Sequence, residues 1–327
     1  MMIVPQYRAE ARLQHRERKR QITVRRFGWS DYSLDAAQQH AQRRAQEALE
    51  RIVAGEVLLR REPKVAYDGA EGLPIREEIV ERQGDEVVTR NSYGALCLNT
   101  PDVLFADVDF EFPPQDPSLG RWLRPVLLMA AIALGWSLHS LAWGIVAVLA
   151  ALVLAWSIGR AVHRAKVRRM GGPKAMARAR VEDFARAHPD WRLRCYRTPA
   201  GLRLLAMHRV FDPNEPAVAA CFEALGVDTV YALMCQRQHC FRARVSPKPW
   251  RIGIQGHLRP RPGVWPVAEE HMPARRRWIE DYERAARDHA ACRFEREYGQ
   301  GAVDARADEV RRLHDALSRA EYSLPIA

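Results

Sequence analysis

A run of 35 residues, 125–159, holds no Asp, Glu, Lys or Arg and has only His139 as a titratable group. No wholly soluble fold accommodates such a stretch easily. One helix of that length would extend about 52 Å at 1.5 Å per residue, far beyond a hydrocarbon layer of roughly 30 Å. Two shorter helices, 125–138 and 141–158, fit better, with Ser137, His139 and Ser140 as the polar turn between them. Trp122 and Trp156 then fall at one interface and Trp136 and Trp143 at the other, as an aromatic belt requires. Ala147, Ala151 and Ala155 recur every four residues and would let the two helices approach closely. The other readings are a buried soluble helix pair and a single span, 142–158, with the first apolar segment lying in the interface; the span is the stronger of the two. It would carry about 120 N-terminal residues across the membrane without an apolar signal segment.

Charge sets the orientation. Arg121 and Arg124 precede the run, and Arg160, Arg164, Lys166, Arg168, Arg169, Lys174 and Arg178 follow it. Both flanks are therefore expected on the cytoplasmic side of a bacterial inner membrane, against the bilayer and its anionic lipid surface. The chain as a whole has 51 Lys+Arg against 40 Asp+Glu, a formal +11 over 327 residues. Because much of that excess flanks the apolar run or lies in 1–30, it is weak support for nucleic-acid binding. Apolar residues at 47% and charged residues at 28% are globular usage, with enough hydrophobic material for a sizeable core.

Residues 1–30 read as a basic tail, with Arg16, Arg18, Lys19, Arg20, Arg25 and Arg26 close together, either solvated or attached to the lipid surface. Apolar spacing then predicts an amphipathic helix over 34–53. Residues 63–74 read as loop and 75–80 as a short ambiguous segment. Two antiparallel strands are expected at 87–99 and 103–110 around the turn 99–102, and Pro113 and Pro114 lead into the apolar run. Beyond it the pattern predicts a helix over 174–188 and a strand pair, 191–197 and 202–208, about the turn 198–201. Helices follow at 215–225 and 229–234, and a strand at 241–245. Residues 256–266 read as a linker, and 273–298 and 303–320 as charged helices that could meet a partner protein.

The fold class is therefore α+β. An antiparallel-sheet cytoplasmic domain, in halves 31–118 and 161–255, is interrupted by a two-helix transmembrane hairpin at 119–160. A linker and helical C-terminal region, 256–327, completes the chain.

Candidate chemistry is sparse. Asp107 and Asp109 lie two apart on a predicted strand, a spacing that can place two carboxylates around one Mg²⁺ or Mn²⁺; a solvated strand end explains them equally well. Arg197 and Arg203 flank a Gly-containing turn and could grip a phosphate or carboxylate. Lys248 sits between Pro247 and Pro249 beside Trp250 and is a third candidate ligand contact. Since the chain has 46 Arg and only 5 Lys, any single arginine means less. Cys221, Cys235, His239 and Cys240 are loosely spaced for zinc and fit ordinary core thiols. Six cysteines facing a reducing compartment do not indicate disulfides. His139 at the far interface is not placed for a proton relay. The nucleophile-elbow, P-loop, dinucleotide and zincin motifs are absent, so no catalytic residue is assigned.

The stretches at 88–96, 107–109, 196–205 and 240–251 resemble those of a group of uncharacterised bacterial two-pass membrane proteins, over 25–255, and imply no activity. The Asp-x-Asp at Asp107 and Asp109, followed by Thr198, Gly201 and Leu202 on a strand-turn-strand, is also similar to the archaeo-eukaryotic primase superfamily. That likeness implies metal binding by the acidic pair and a nucleotide-binding His after the Gly. Arg203 stands where that His would be, His208 lies too far along, and Asp212 is the one available third acidic residue. Asp-x-Asp also resembles metal-dependent glycosyltransferases, whose upstream βαβ units are not evident. The expectation is a two-pass membrane protein whose soluble domain binds an anionic ligand or a partner protein in a regulatory or scaffolding role. The alternative is a metal-dependent enzyme acting on a phosphate-bearing substrate through Asp107 and Asp109.

Overall fold

The computed structural model describes residues 4–17, 20–62, 73–110, 117–137, 141–261 and 264–327. Arg18, Lys19, Pro113, Pro114, His139, Ser140 and most of the predicted loop at 63–74 lie outside the described residues, as do the side chains of Arg121, Trp122 and Arg124. Two compact units are present. One combines Met1–Val108 with Phe184–Ala327, and the other is Asp109–Asp183. The chain is a mixed α/β protein with antiparallel sheets.

The first unit opens with β1 (Tyr7–Glu17) and β2 (Arg20–Ser30), an antiparallel pair with Tyr7 opposite Ser30 and Glu17 opposite Arg20. The basic tail is thus corrected to a β-hairpin. Its charges obscured an alternation in which Ala9, Ala11 and Leu13 on one strand, and Ile22 and Val24 on the other, turn toward a helix. That helix is α1 (Leu34–Val53), started by the Ser33 hydroxyl accepting from the Ala36 N–H at 3.1 Å and carrying Asp35 in its first turn. Ala41 and Ala45 meet Ala11, while Ala48 and Ile52 meet Ile22 and Val24. Small residues on the helix allow unusually close approach. A Cβ built on Gly28 would overlap the backbone of Ala37 and Ala41.

Along the chain there follow β3 (Glu78–Gln83), β4 (Glu86–Arg90), β5 (Leu96–Thr100) and β6 (Phe105–Asp109). After the second unit come β7 (Leu193–Arg197), β8 (Gly201–Ala206) and β9 (Phe241–Arg244), and finally β10 (Arg293–Tyr298). They build two four-stranded sheets, ordered β3-β4-β5-β9 and β10-β7-β8-β6. The expected strand 87–99 is two strands. Between them Asn91 Oδ1 accepts from the N–H groups of Tyr93 and Ala95 at 3.2 and 3.0 Å, and Gly94 takes φ +102°. Nor do β5 and β6 pair with each other: β5 pairs with β9, and β6 lies beside β8.

The helices of this unit are α5 (Pro216–Leu225), α6 (Thr229–Gln238), α7 (Met272–Ala286) and α8 (Ala305–Ser318). The predicted helix at 273–298 stops at Ala286, because its last part is used as a strand. Phe294 lies opposite Tyr196, the Arg194 guanidinium sits 3.8 Å over the Phe294 ring, and pairing with β7 outweighs the helix preference of Glu and Arg. Tyr231 of α6 places its hydroxyl 3.0 Å from the carbonyl oxygens of both Phe105 and Arg242, one from each sheet.

The second unit contains α2 (Pro117–Ser137) and α3 (Leu141–Arg169), which pack against each other, and most of α4 (Gly172–Ala187). Ala131, Ala151 and Ala155 are its buried alanines within the apolar run. Among the described residues one helix, Ala142–Arg169, is long and apolar enough to cross a membrane, with mean hydropathy 2.2. Pro125–Leu134 is a shorter apolar segment.

Gly28→Ala should lift α1 off the hairpin. The expected loss is about 2–3 kcal/mol, at the upper end of overpacking penalties because the obstacle is backbone rather than a flexible side chain. Urea unfolding of the detergent-solubilised protein, followed through tryptophan fluorescence, checks it. A change within about 0.5 kcal/mol would contradict the close approach.

Candidate functional site

Arg203 lies at the centre of β8 and is 3% exposed. A guanidinium there must find partners for all of its N–H groups or lose several kcal/mol to desolvation. It finds them on two other strands. Nε and Nη2 donate to Oδ1 and Oδ2 of Asp107 on β6 at 2.8 and 3.0 Å, and Nη1 donates to the carbonyl of Arg244 on β9 at 2.7 Å. The paired fork joins the edge of one sheet to the edge of the other. Burial pushes the Asp107 carboxyl up, but Arg203 more than offsets this and holds it below the usual carboxylate value.

This geometry bears on two expectations. Arg203 is not a free ligand contact, because Asp107 occupies it. Both oxygens of Asp107 accept from the fork, so a Mg²⁺ or Mn²⁺ shared with Asp109 would have to share them with Arg203. Asp109 is exposed at the end of β6, where Arg180 Nη2 reaches its backbone carbonyl at 3.5 Å. Among the described residues no group of three His, Cys, Asp or Glu side chains is placed to hold a metal ion. Asp212 is exposed and accepts from the Asn214 N–H at 2.8 Å in a turn.

The other nominated cations stand apart. Arg197 is exposed at the last position of β7. Lys248 starts the short turn Pro249–Arg251 with its Nζ 5.4 Å from the Trp250 ring centre, and that ring meets Tyr93 edge-on at 5.2 Å. Cys221, Cys235 and Cys240 are buried, and burial raises the thiols of Cys221 and Cys240 to about 12, so they behave as core residues. His239 caps α6 at φ 50° and faces Asn214 rather than the cysteines.

Two clusters lay beyond sequence reasoning. The first is Cys292, His314 and Asp315, with Cys292 Sγ 3.9 Å from His314 Nε2 and His314 Nδ1 3.0 Å from Asp315 Oδ1. Burial pulls the His314 imidazole down, yet the Cys292 sulfur and the Asp315 carboxylate outweigh it and raise it. The order imitates a nucleophile, base and carboxylate, but all three are buried, and Asp315 is also tied to Arg194 at 3.1 Å. It fastens α8 to β7 and β10. The second is a recess beside the N-terminal hairpin, lined by Arg8, Ala9, Phe27, Gly28, Trp29, Leu73, Pro74 and Arg76. Only the segment 73–76 completes it, from more than forty positions away in sequence, and no local pattern could announce that.

Comparison with family models, with curated proteins and with solved structures returns no match in any of the three.

Asp107→Asn leaves Arg203 buried without its charge partner. The expected cost is about 2 kcal/mol, below the value for a fully buried pair because Asp107 is 43% exposed and water screens it. A depressed carboxylate stabilises fully above the unfolded-state value near 4, and that contribution is lost as pH falls further. Wild-type stability should therefore drop below about pH 4, and the variant should lose less over the same interval. Equal acid profiles for the two proteins would contradict the assignment.

Proposed function

We propose that this chain is a two-pass integral protein of a bacterial inner membrane, whose cytoplasmic α+β unit binds an anionic ligand in a regulatory or scaffolding role. The observation that carries the membrane part is the outward face of α2 and α3. Val126, Met129, Ile132, Ile145, Leu149, Val153 and Leu154 are all exposed, and Trp136 is 86% exposed. Apolar surface on that scale is not left open to water by a soluble protein, whereas lipid tails match it. The buried positions, Ala131, Ala151 and Ala155, are the small residues that membrane helices place at their contacts.

Flanking chemistry supports the same reading. Trp156 is covered by Arg160, whose guanidinium lies 4.5 Å from the ring centre, a cation-aromatic pair suited to the headgroup layer. Lys166, Arg168 and Arg169 crowd the last turn of α3, where positive charge favours the cytoplasmic side and complements the helix dipole. Anion binding is the ligand chemistry that best suits a soluble unit whose polar interior is built on arginine.

Reporters fused after Ser118 and at the C terminus test the topology. Both should report the cytoplasm, and the protein should stay with the membrane after alkaline washing. Reporters on opposite sides would replace the hairpin with a single span, and release by alkali would remove the membrane reading.

A further inference from the structure

The recess at the open end of the N-terminal hairpin combines three properties. It is concave and half-open, a shallow recess rather than an enclosed cavity. Its walls are mainly apolar, from Phe27, Trp29, Leu73 and Pro74. Two arginines, Arg8 and Arg76, are among the residues that line it.

Neither guanidinium has a carboxylate. Arg8 donates from Nη1 to the Glu77 carbonyl at 2.7 Å and from Nη2 to the Ile75 carbonyl at 2.6 Å. Arg76 donates from Nε to the Trp265 carbonyl at 3.0 Å and lies flat over Phe27 at 3.9 Å. A third arginine nearby, Arg82, likewise holds the Val4 carbonyl and the Gln6 amide oxygen. Backbone carbonyls orient these cations but do not cancel their charge.

Glu77 and Asp31 act on Arg8, and Glu10 and Glu62 on Arg76, through space without an ion-pair contact, and each has a hydrogen-bond or ion-pair partner of its own. Glu77 is held by Arg242 at 2.6 and 2.8 Å and by Thr89 at 2.7 Å. Glu62 is held by Arg44 at 2.6 Å, Glu10 by Arg25 at 3.5 Å, and Asp31 accepts from the Gln6 N–H at 3.2 Å. Burial, with Arg76 adding to it, pulls the Arg8 guanidinium down to about 10, and Glu77 and Asp31 offset this only in part. Arg8 Nε and Arg76 Nη1 are also buried without a hydrogen-bond partner. Buried donors are rarely left so, and the cost is relieved when an acceptor arrives.

We propose that this recess binds a small organic oxyanion, a phosphate monoester or carboxylate, with its head group between Arg8 and Arg76 and its apolar part against Trp29, Leu73 and Pro74. The inference deepens the anionic-ligand half of the proposed function and rests on it, but not on the topology. Two guanidiniums beside one head group would favour an oxyanion over a halide through their remaining N–H groups. Apolar walls explain why an organic group should bind more tightly than the bare ion. Such a head group could belong to a soluble metabolite or to an anionic lipid.

Titration calorimetry on the detergent-solubilised full chain tests it, with phenyl phosphate, benzoate, inorganic phosphate and dihexanoyl phosphatidic acid as probes. At least one organic probe should bind saturably and more tightly than inorganic phosphate, and the affinity should fall as salt is raised. Arg76→Gln, which keeps a donor for the Trp265 carbonyl, should weaken binding at least tenfold. Leu73→Trp, which fills the recess without removing charge, should do the same, and Arg197→Gln should bind as wild type. Binding by phosphatidic acid alone assigns the source to lipid, and binding by the soluble probes assigns it to a metabolite; either supports the site. No saturable binding by any organic probe, or unchanged binding by both Arg76→Gln and Leu73→Trp, overturns it. Because the assay takes no account of sidedness, a failed topology result and a failed binding result are separate.

Discussion

The buried guanidinium of Arg203 is the constraint on which the soluble unit depends. Its three contacts reach Asp107 on β6 and the Arg244 carbonyl on β9, so one side chain ties two sheets that share no strand. Burying that charge without partners would cost several kcal/mol, comparable with the whole stability of a domain. The sheets therefore cannot slide past one another without stranding it. Tyr231 reinforces the same seam from α6, and neither residue could be exchanged for an apolar one without leaving strand carbonyls unsatisfied.

Arginine repeats this role elsewhere. Arg242 joins Glu77 to Asn99, Arg194 joins Asp315, Glu297 and Glu321, and Arg306 ties α8 to Glu86 and Asp102. Each spans elements distant in sequence, and each uses the planar fork to reach several acceptors at once, which the single point charge of lysine does less well. The predominance of arginine is therefore partly architectural. Asp107 and Arg203, each weighed from sequence as a separate ligand, are likewise each other's partner.

Features written in local spacing were legible. The alanine stripe gave α1 its full span, 34–53, and Thr198, Pro199 and Gly201 marked the turn between β7 and β8. What failed depended on partners far away. The β1–β2 hairpin carries so many arginines that its alternation of small apolar residues was masked, and it is stabilised by α1 rather than by its own composition. Residues 293–298 have helical composition but complete a sheet edge. Of the candidate site, the sequence pointed to arginine as the cation, yet it could not tell which arginines carry a carboxylate, because that pairing is decided in space.

That last point separates structural from functional cations in this chain. An arginine with a carboxylate on its fork is neutralised and contributes to shape. One held only by backbone carbonyls keeps its charge while losing its freedom to move away from it. Arg8 and Arg76 are of the second kind, fixed by the carbonyls of Ile75, Glu77 and Trp265 and bordered by aromatic rings. Pre-orientation of this sort removes much of the side-chain entropy that binding would otherwise cost, so that even a small recess can hold an anion usefully. The formal +11 is thus not one property. Part of it flanks the apolar helices, part stands exposed at positions such as Arg197, and a small remainder is held beside the hairpin by backbone carbonyls rather than by ion pairs.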